Sequence, residues 1–275
     1  MKIWGVLNVT PDSFSDGGKY ALTDLAADHA GKMLEEGADI IDIGGESTRP
    51  GAGIVSAEEE KKRVVPVIQA IRKKFPDAVI SIDTYKAETA GAALDAGADI
   101  VNDISAAADP AMIPLVAKSK CVYCLSHNPS AVFDGSTGLI KNLNERKKDV
   151  TMQTVSAGLA VKAAELLSAG IERENIILDP GIGFGMDTDE CLSLIKHVAD
   201  LKKEGFPVLL GVSRKSVIGN TLGLPVDERL EGTLALTAYA FMQNIDHIRV
   251  HDVKENYRVI KMLEAVMAEH TVAGN

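Results

Sequence analysis

Aromatic residues are scarce in this chain, at 4% of 275 residues, while Ala, Val, Ile, Leu and Gly are plentiful and 46% of the sequence is hydrophobic. That balance suits parallel strands covered by helices, with ample material for a buried core. Basic residues are also short: 29 Lys and Arg stand against 39 Asp and Glu, a formal charge of −10. No basic run exceeds Lys61-Lys62-Arg63 or Arg72-Lys73-Lys74. This argues against a nucleic-acid binder, so any anionic ligand needs a local cluster of cations. Cysteine is limited to Cys121, Cys124 and Cys191. The "CVYC" motif stands alone in an apolar run, whereas zinc wants two such pairs or added His ligands, so buried thiols in a reducing compartment are expected. No apolar run approaches ~18 residues and no charged-then-apolar leader opens the chain, which predicts a cytoplasmic protein without a membrane span.

What is present is a rhythm. Short apolar, β-branched runs occur at 2–8, 39–44, 78–83, 99–104, 121–126, 175–180, 207–212 and 247–252. Helical patterns separate them. Leu25, Ala26, Ala30, Met33 and Leu34 share a face before Gly37. Ser56 and Glu59 form a capping box ahead of Val64, Ile68 and Ile71, and Asp187 and Glu190 open a helix carrying Leu192, Ile195 and Val198 that Gly205 ends. Residues 253–269 form a closing helix with Val259, Met262, Leu263 and Val266. Eight strand–helix repeats predict a closed (β/α)8 TIM barrel, with an open doubly wound sheet as the competitor. "GADIIDIGGES" and "GADIVNDIS" read as an internal repeat, which also suits a barrel. No linker divides the chain, so 1–275 is expected to be one domain.

Polar residues gather at the C-terminal ends of these runs, where barrel enzymes place their chemistry. They are Asn8, then Glu46 through Arg49, Asp83, Asn102 with Asp103, His127, Asp179, Ser213 to Lys215, and Arg249 with His251. Any one could cap a helix or sit as a satisfied core residue; eight at once predict an active site. Arg49, Arg214, Lys215, Arg249 and His251 form a cationic set suited to phosphate oxygens, so a phosphorylated or diphosphorylated substrate is expected. Asp83, Asn102 and Asp179 want donors, which the amino and ring N–H groups of a flat heterocycle would supply.

The segments "NVTPDSFSDGG", "GGESTRPGA", "SIDTYK", "VNDIS", "DPGIGFG", "GVSRKSVIG" and "RVHDV", in that order from Asn8 to Val253, resemble dihydropteroate synthases. The resemblance implies condensation of 6-hydroxymethyl-7,8-dihydropterin diphosphate with p-aminobenzoate, giving dihydropteroate and pyrophosphate on the path to folate. It implies that Asp179 grips the amino-pyrimidine edge, that Asn102 and Asp83 flank the ring, that Lys215 reaches its carbonyl side and that Ser213 lies near it. Asn8, Arg249 and His251 match pyrophosphate anchors, Thr48 and Arg49 the second mobile loop, and Asn8 also a magnesium ligand. Asp83, Lys215, Arg249 and His251 would be the catalytic set. Phe14, Pro50, Phe184 and Ser216 match the p-aminobenzoate pocket, which sulfonamide inhibitors would share. "TPDSFSDGG" resembles the first mobile loop. A homodimer is implied as well.

Two departures from the family pattern stand out: Met186, where Lys or Thr is usual, and Ser126, where Met is common and whose loss loosens packing beside the pterin. Three other readings remain open on sequence grounds: a methyltetrahydrofolate methyltransferase type of barrel, an aldolase-like barrel using Lys215 for a Schiff base, and a pterin-binding paralogue without turnover.

Overall fold

A charged residue opens several strands, and its role is architectural. Asp39 Oδ2 accepts a hydrogen bond from Ile3 N at 2.7 Å, Asp99 Oδ2 one from Ile80 N at 2.8 Å, and Asp246 Oδ2 one from Val208 N at 2.9 Å. Each carboxylate thus satisfies a backbone donor on the neighbouring strand where the ladder begins. The sequence repeat at 37–44 and 97–104 reflects this junction. Gly37 and Gly97 take φ of 105° and 109°, open to glycine, and the following Asp docks the next strand.

The computed structural model describes residues 1–10, 19–47, 53–137, 139–146 and 150–268. Eight parallel strands run β1 (Lys2–Asn8), β2 (Ile40–Gly44), β3 (Val79–Asp83), β4 (Ile100–Asp103), β5 (Val122–Ser126), β8 (Ile176–Asp179), β9 (Leu209–Leu210) and β10 (His247–Val250). Between β5 and β8 lies a short antiparallel hairpin, β6 (Val132–Asp134) with β7 (Leu139–Lys141), that the sequence reading did not anticipate. The sheet order is β8-β5-β4-β3-β2-β1-β10-β9. A parallel bridge between Leu178 and Val208, with Leu178 N donating to Pro207 O at 2.9 Å, brings its two ends together. The expected barrel is therefore present, and the open sheet is excluded.

Strand alternation sorts the side chains. Trp4, Ile40, Ile100, Cys124, Ile177 and Leu209 form an apolar layer inside the barrel. Below them Trp4 Nε1 donates to His247 Nδ1 at 3.1 Å, ring edge to ring face. Burial pushes His247 down to about 4, so it stays a neutral acceptor. The opposite strand faces, among them Ile41, Ile43, Ile80, Ile82 and Val101, pack beneath the helices. Cys121 joins this outer core and Cys124 the inner layer, so the "CVYC" thiols are free and buried.

The outer helices are α1 (Lys19–Glu35), α2 (Ala57–Lys74), α3 (Ala87–Asp95), α4 (Met112–Ser119), α5 (Met152–Ser168), α6 (Thr188–Lys196), α7 (Ser216–Leu222), α8 (Leu230–Met242) and α9 (Val253–Met267). Asp187 and Glu190 make the expected capping box on α6, although α6 ends at Lys196 and a 3-10 turn over Val198–Glu204 carries the chain to Gly205. On α2 only half of the expected box forms: Ser56 Oγ accepts from Glu59 N, while Glu59 pairs with Arg63 one turn on. On α1, Ala26, Ala30 and Met33 are buried but Leu25 faces solvent. The apolar face expected on α9 is also displaced. Val253, Asn256 and Ile260 face the barrel, and Met262 and Val266 are each 64% exposed. Asn256 wins its buried place by bonding, accepting from Thr237 Oγ1 at 2.6 Å and donating to Asp252 O at 2.6 Å. No helix among the described residues is long and apolar enough to cross a membrane.

Replacing Asp246 with Ala leaves Val208 N without its acceptor at the seam where the ring closes. We expect a loss of about 1–3 kcal/mol, read as a lower urea midpoint with an unchanged denaturant slope. An unaltered midpoint would show that the seam does not depend on this bond.

Candidate active site

Alternation that buries Ile40, Ile100 and Ile177 at the floor carries Asp42, Asn102 and Asp179 inward two residues higher. On β10, Arg249 lies between two carboxylates. Its Nε donates to Asp42 Oδ2 at 2.5 Å and a terminal nitrogen donates to Asp83 Oδ2 at 2.5 Å. Asn102 Nδ2 donates to the same Asp42 oxygen at 3.1 Å. Asp42 is fully buried, and its Oδ1 and the Asn102 Oδ1 have no partner within the protein. Orphaned buried acceptors at a barrel mouth mark a place for a donor-bearing ligand. Asn8 faces the same space: a methyl group on Gly44 would stand 3.7 Å from both Asn8 Oδ1 and Asp83 Oδ2, so the glycine leaves the mouth open between them.

On the far side Asp179 Oδ1 accepts from Gly181 N at 2.7 Å. Gly181 has φ of 70°, and a Cβ there would come within 2.3 Å of His127 O. Glycine is thus required for the backbone turn that orients the carboxylate. Lys215 Nζ donates to Ile182 O at 2.6 Å and stands 5.1 Å from the centre of the Phe184 ring. Gly211, just after β9, leaves room for the Lys215 ammonium at the start of α7 and for Arg249 on β10. Ser213 Oγ lies 3.1 Å from His251 Nδ1 and accepts from His251 N at 3.2 Å. Ser216 begins α7, next to Lys215, on the exposed rim.

The electrostatics follow from confinement. Burial pushes Asp83 up to about 7; Arg249 opposes the rise and Asp42 adds to it. Desolvation lowers the Lys215 ammonium, with Asp179 pulling the other way. Burial also works against the Arg249 charge, but Asp42 and Asp83 outweigh it and hold the guanidinium firmly protonated.

The structure therefore brings Asn8, Asp83, Asn102, Asp179, Ser213, Lys215, Arg249 and His251 to one end of the barrel, with Phe184 and Ser216 beside Lys215. Phe14, Thr48, Arg49 and Pro50 lie outside the described residues. Other strand-end residues have structural work. Asp103 accepts from Tyr123 Oη at 2.6 Å and from Ser105 N at 2.7 Å. His127 packs against Gly158 of α5, where a Cβ would come within 2.7 Å of its ring. Arg214 is not part of a free cationic set: it grips Asp252 through Nε at 2.9 Å and through a second, shorter contact. Glu46 accepts from Tyr85 Oη at 2.9 Å and is salt-bridged to Lys86, which also contacts Glu60 at 2.9 Å. Sequence reading missed Asp42. Its signal was a carboxylate in the middle of "DIIDIG", in phase with the inward positions Ile40 and Gly44.

A barrel with an apolar floor, a buried carboxylate–amide grip and a cationic rim at the strand ends defines a class of enzyme that holds a polar heterocycle beside an anion. A model of the pterin binding enzyme family matches residues 4–251. The dihydropteroate synthase of Clostridium beijerinckii is 47% identical over 267 residues, covering 96% of this chain and 94% of that protein. The structure of the dihydropteroate synthase of Clostridium difficile, determined in the presence of pteroic acid, superposes with a TM-score of 0.88 at 40% identity, covering 97% of each chain. That of Yersinia pestis, in complex with a sulfonamide drug, does so with a TM-score of 0.85 at 39% identity, covering 96% of this chain and 94% of its own. The chain belongs to the pterin-binding enzymes and, within them, to the dihydropteroate synthase family.

The Asp83 carboxyl has a testable consequence. Its folded value of about 7 lies above the ordinary 3.8, so the native state holds the proton more tightly than the unfolded chain does. By linkage, its contribution to stability falls as pH rises from about 4 to about 7 and is constant above. Between pH 5 and pH 8 the native chain should lose roughly 1–3 kcal/mol more than Asp83→Asn does. Urea denaturation of both proteins at both pH values checks this, and parallel losses would mean that Asp83 titrates normally.

Proposed function

We infer that this chain is a dihydropteroate synthase, joining 6-hydroxymethyl-7,8-dihydropterin diphosphate to p-aminobenzoate with release of pyrophosphate, a transfer of the pterin-methyl group in folate synthesis. The observation that carries the assignment of roles is the pairing of orphaned acceptors at Asp42 and Asn102 with a cationic rim on the adjacent strands.

In this reading the flat pterin enters the barrel mouth. Asp179, already aligned by Gly181 N, accepts from its amino-pyrimidine edge, and Asn102 meets the ring from β4. Lys215 turns from Ile182 O to the ring carbonyl. Arg249 and His251, with Thr48, Arg49 and Asn8, hold the diphosphate. The carbon–oxygen bond to the diphosphate breaks, and the electron pair leaves with pyrophosphate. Arg249 and His251 stabilise that developing negative charge in a site largely shielded from water. Asp83, kept close by Arg249, provides the negative charge beside the methylene cation. The aniline nitrogen of p-aminobenzoate, seated against Phe14, Pro50, Phe184 and Ser216, attacks the methylene and loses a proton.

Magnesium is part of this proposal. Among the described residues no three His, Cys, Asp or Glu side chains are grouped to hold a metal. Mg2+ typically takes one or two protein oxygens and completes its shell with substrate phosphates and water. The Asn8 amide oxygen at the mouth fits that pattern. The ion would supply charge neutralisation of the diphosphate there.

The reading extends to the cytoplasm and to a homodimer. Met262, Val266 and Met267 on α9 and Met242 on α8 are exposed apolar side chains that a second copy would cover.

Sustained, multiple-turnover pyrophosphate release that requires both substrates tests the assignment, and sustained release without p-aminobenzoate would point to a hydrolase. Asp179→Asn places a donor against a donor edge and should weaken pterin binding by tenfold or more, a cost of about 1–3 kcal/mol. Calorimetry on the folded variant reads it, and unchanged affinity would remove Asp179 from the grip. Sulfonamides should inhibit competitively with p-aminobenzoate, as steady-state kinetics at varied p-aminobenzoate will show.

A further inference from the structure

Ser126 ends β5, and its hydroxyl is fully buried without a hydrogen-bond partner among the described residues. Strand β5 lies between β4 and β8 in the ring. Register sets Ser126 opposite Asp179, and Cys124 opposite both Asn102 and Ile177. Cys124 belongs to the inner apolar layer, so alternation turns Ser126 to the same inside face, one pair higher. Neighbouring strands are about 4.8 Å apart, which sets Ser126 directly beside Asp179. The bond from His127 N to Asp179 O at 2.9 Å holds that register in the next residue.

Other hydroxyls near the strand ends are not left in this state. Ser105 Oγ donates to Asp103 Oδ1 at 2.7 Å, and Ser213 Oγ meets His251 Nδ1 at 3.1 Å. Ser81, also unpaired, is in register with Ile100 of the apolar floor, whereas Ser126 is in register with a residue of the grip. Met is common at position 126 in the family pattern, and a thioether leaves no hydroxyl unpaired. The fold gains nothing from this one: a buried polar group without a partner costs stability, and a ligand that pairs with it recovers that cost.

We propose that Ser126 is a specificity-determining residue of the heterocycle grip, its hydroxyl accepting a hydrogen bond from the exocyclic amino group. The proposal rests on the pterin reading given above. An amino-pyrimidine edge presents three hydrogens in a row, one on the ring nitrogen and two on the amino group. The two oxygens of the Asp179 carboxylate serve the first two. The third points away from Asp179 along the edge, toward the next strand. From β8 in the direction of β4 and Asn102, that strand is β5, and its inward residue in register is Ser126.

The test titrates 6-hydroxymethylpterin and its 2-deamino analogue, each with pyrophosphate present, into the native chain and Ser126→Ala by calorimetry. Loss of the hydroxyl should weaken the parent pterin by about fivefold or more, while the analogue, which has no amino group to donate, binds both proteins alike. Urea denaturation without ligand should give Ser126→Ala a midpoint equal to or above the native one, because the substitution removes an unpaired group. A lowered midpoint would show that the hydroxyl serves the fold. Unchanged affinity for the parent pterin, or an equal loss for both ligands, would remove it from the amino group. Each of these results overturns the proposal. Failure of 6-hydroxymethylpterin to bind the native chain overturns the pterin reading itself, and this contact with it.

Discussion

The contact on which the site depends is the Arg249 guanidinium between Asp42 and Asp83. It links β10 to β2 and β3 across the barrel mouth, and Asn102 joins it from β4 through Asp42. A buried ion pair of this kind adds little to stability, because desolvation of the charges offsets most of their attraction. Its effect is geometric. The planar fork fixes Asp83 and leaves unpaired acceptors, Asp42 Oδ1 and Asn102 Oδ1, beside it. Mutual confinement explains why Asp83 is pushed up toward neutrality while Arg249 stays charged. A carboxylate poised in this way can respond to a cation forming next to it.

Rigidity comes from elsewhere. The floor of the barrel is apolar and closed by Trp4 against a neutral His247. The strand starts are pinned by Asp39, Asp99 and Asp246. On the upper side the turns after β9 and β10 are laced to each other, Ser213 to His251 and Arg214 to Asp252, so the residue pairs on either side of Lys215 and Arg249 move together. Arg214 has φ of 57°, a conformation held by three contacts: the Asp252 pair, its N–H on Thr233 Oγ1 and its carbonyl on Arg229. A residue that reads from sequence as a phosphate ligand is in fact what orients its neighbours.

The strands were legible because each is a β-branched apolar run buried on both faces, and the polar residue ending it is a change no core position tolerates. Strand ends alone do not separate catalysis from architecture. Asp103 ends β4 as Asp179 ends β8, and His127 and Arg214 follow β5 and β9, yet these three satisfy backbone, pack on glycine or pair with Asp252. For the residues within the strands, what distinguishes them is the side of the strand. Asn102 points inward and Asp103, one residue later, outward. The same parity argument would have found Asp42. On α9 the sequence offers two apolar stripes, and helical periodicity cannot choose between them; the Asn256 bonds to Thr237 and Asp252 decide it. The hairpin was hidden for a related reason. Its strands have three residues each, too short for alternation to show, and its stability depends on Tyr85, Ile104 and Phe184 from distant parts of the chain.

That dependence links the hairpin to the chemistry. A two-stranded ribbon is marginal in water by itself and needs a face to pack on. Here the face is formed by residues that follow β3, β4 and β8, the strands that end in Asp83, Asn102–Asp103 and Asp179. The ribbon therefore adds apolar contact to the loops that follow those strands, on the same side of the barrel as the polar grip. Water near those groups would screen the charges that Arg249 and Asp83 exert on a ligand. Apolar surface near such groups raises their effect by lowering the local dielectric. The apolar floor lies beneath a charged layer narrow enough that a few inward-facing residues, Asp42, Asp83, Asn102 and Arg249 among them, define it.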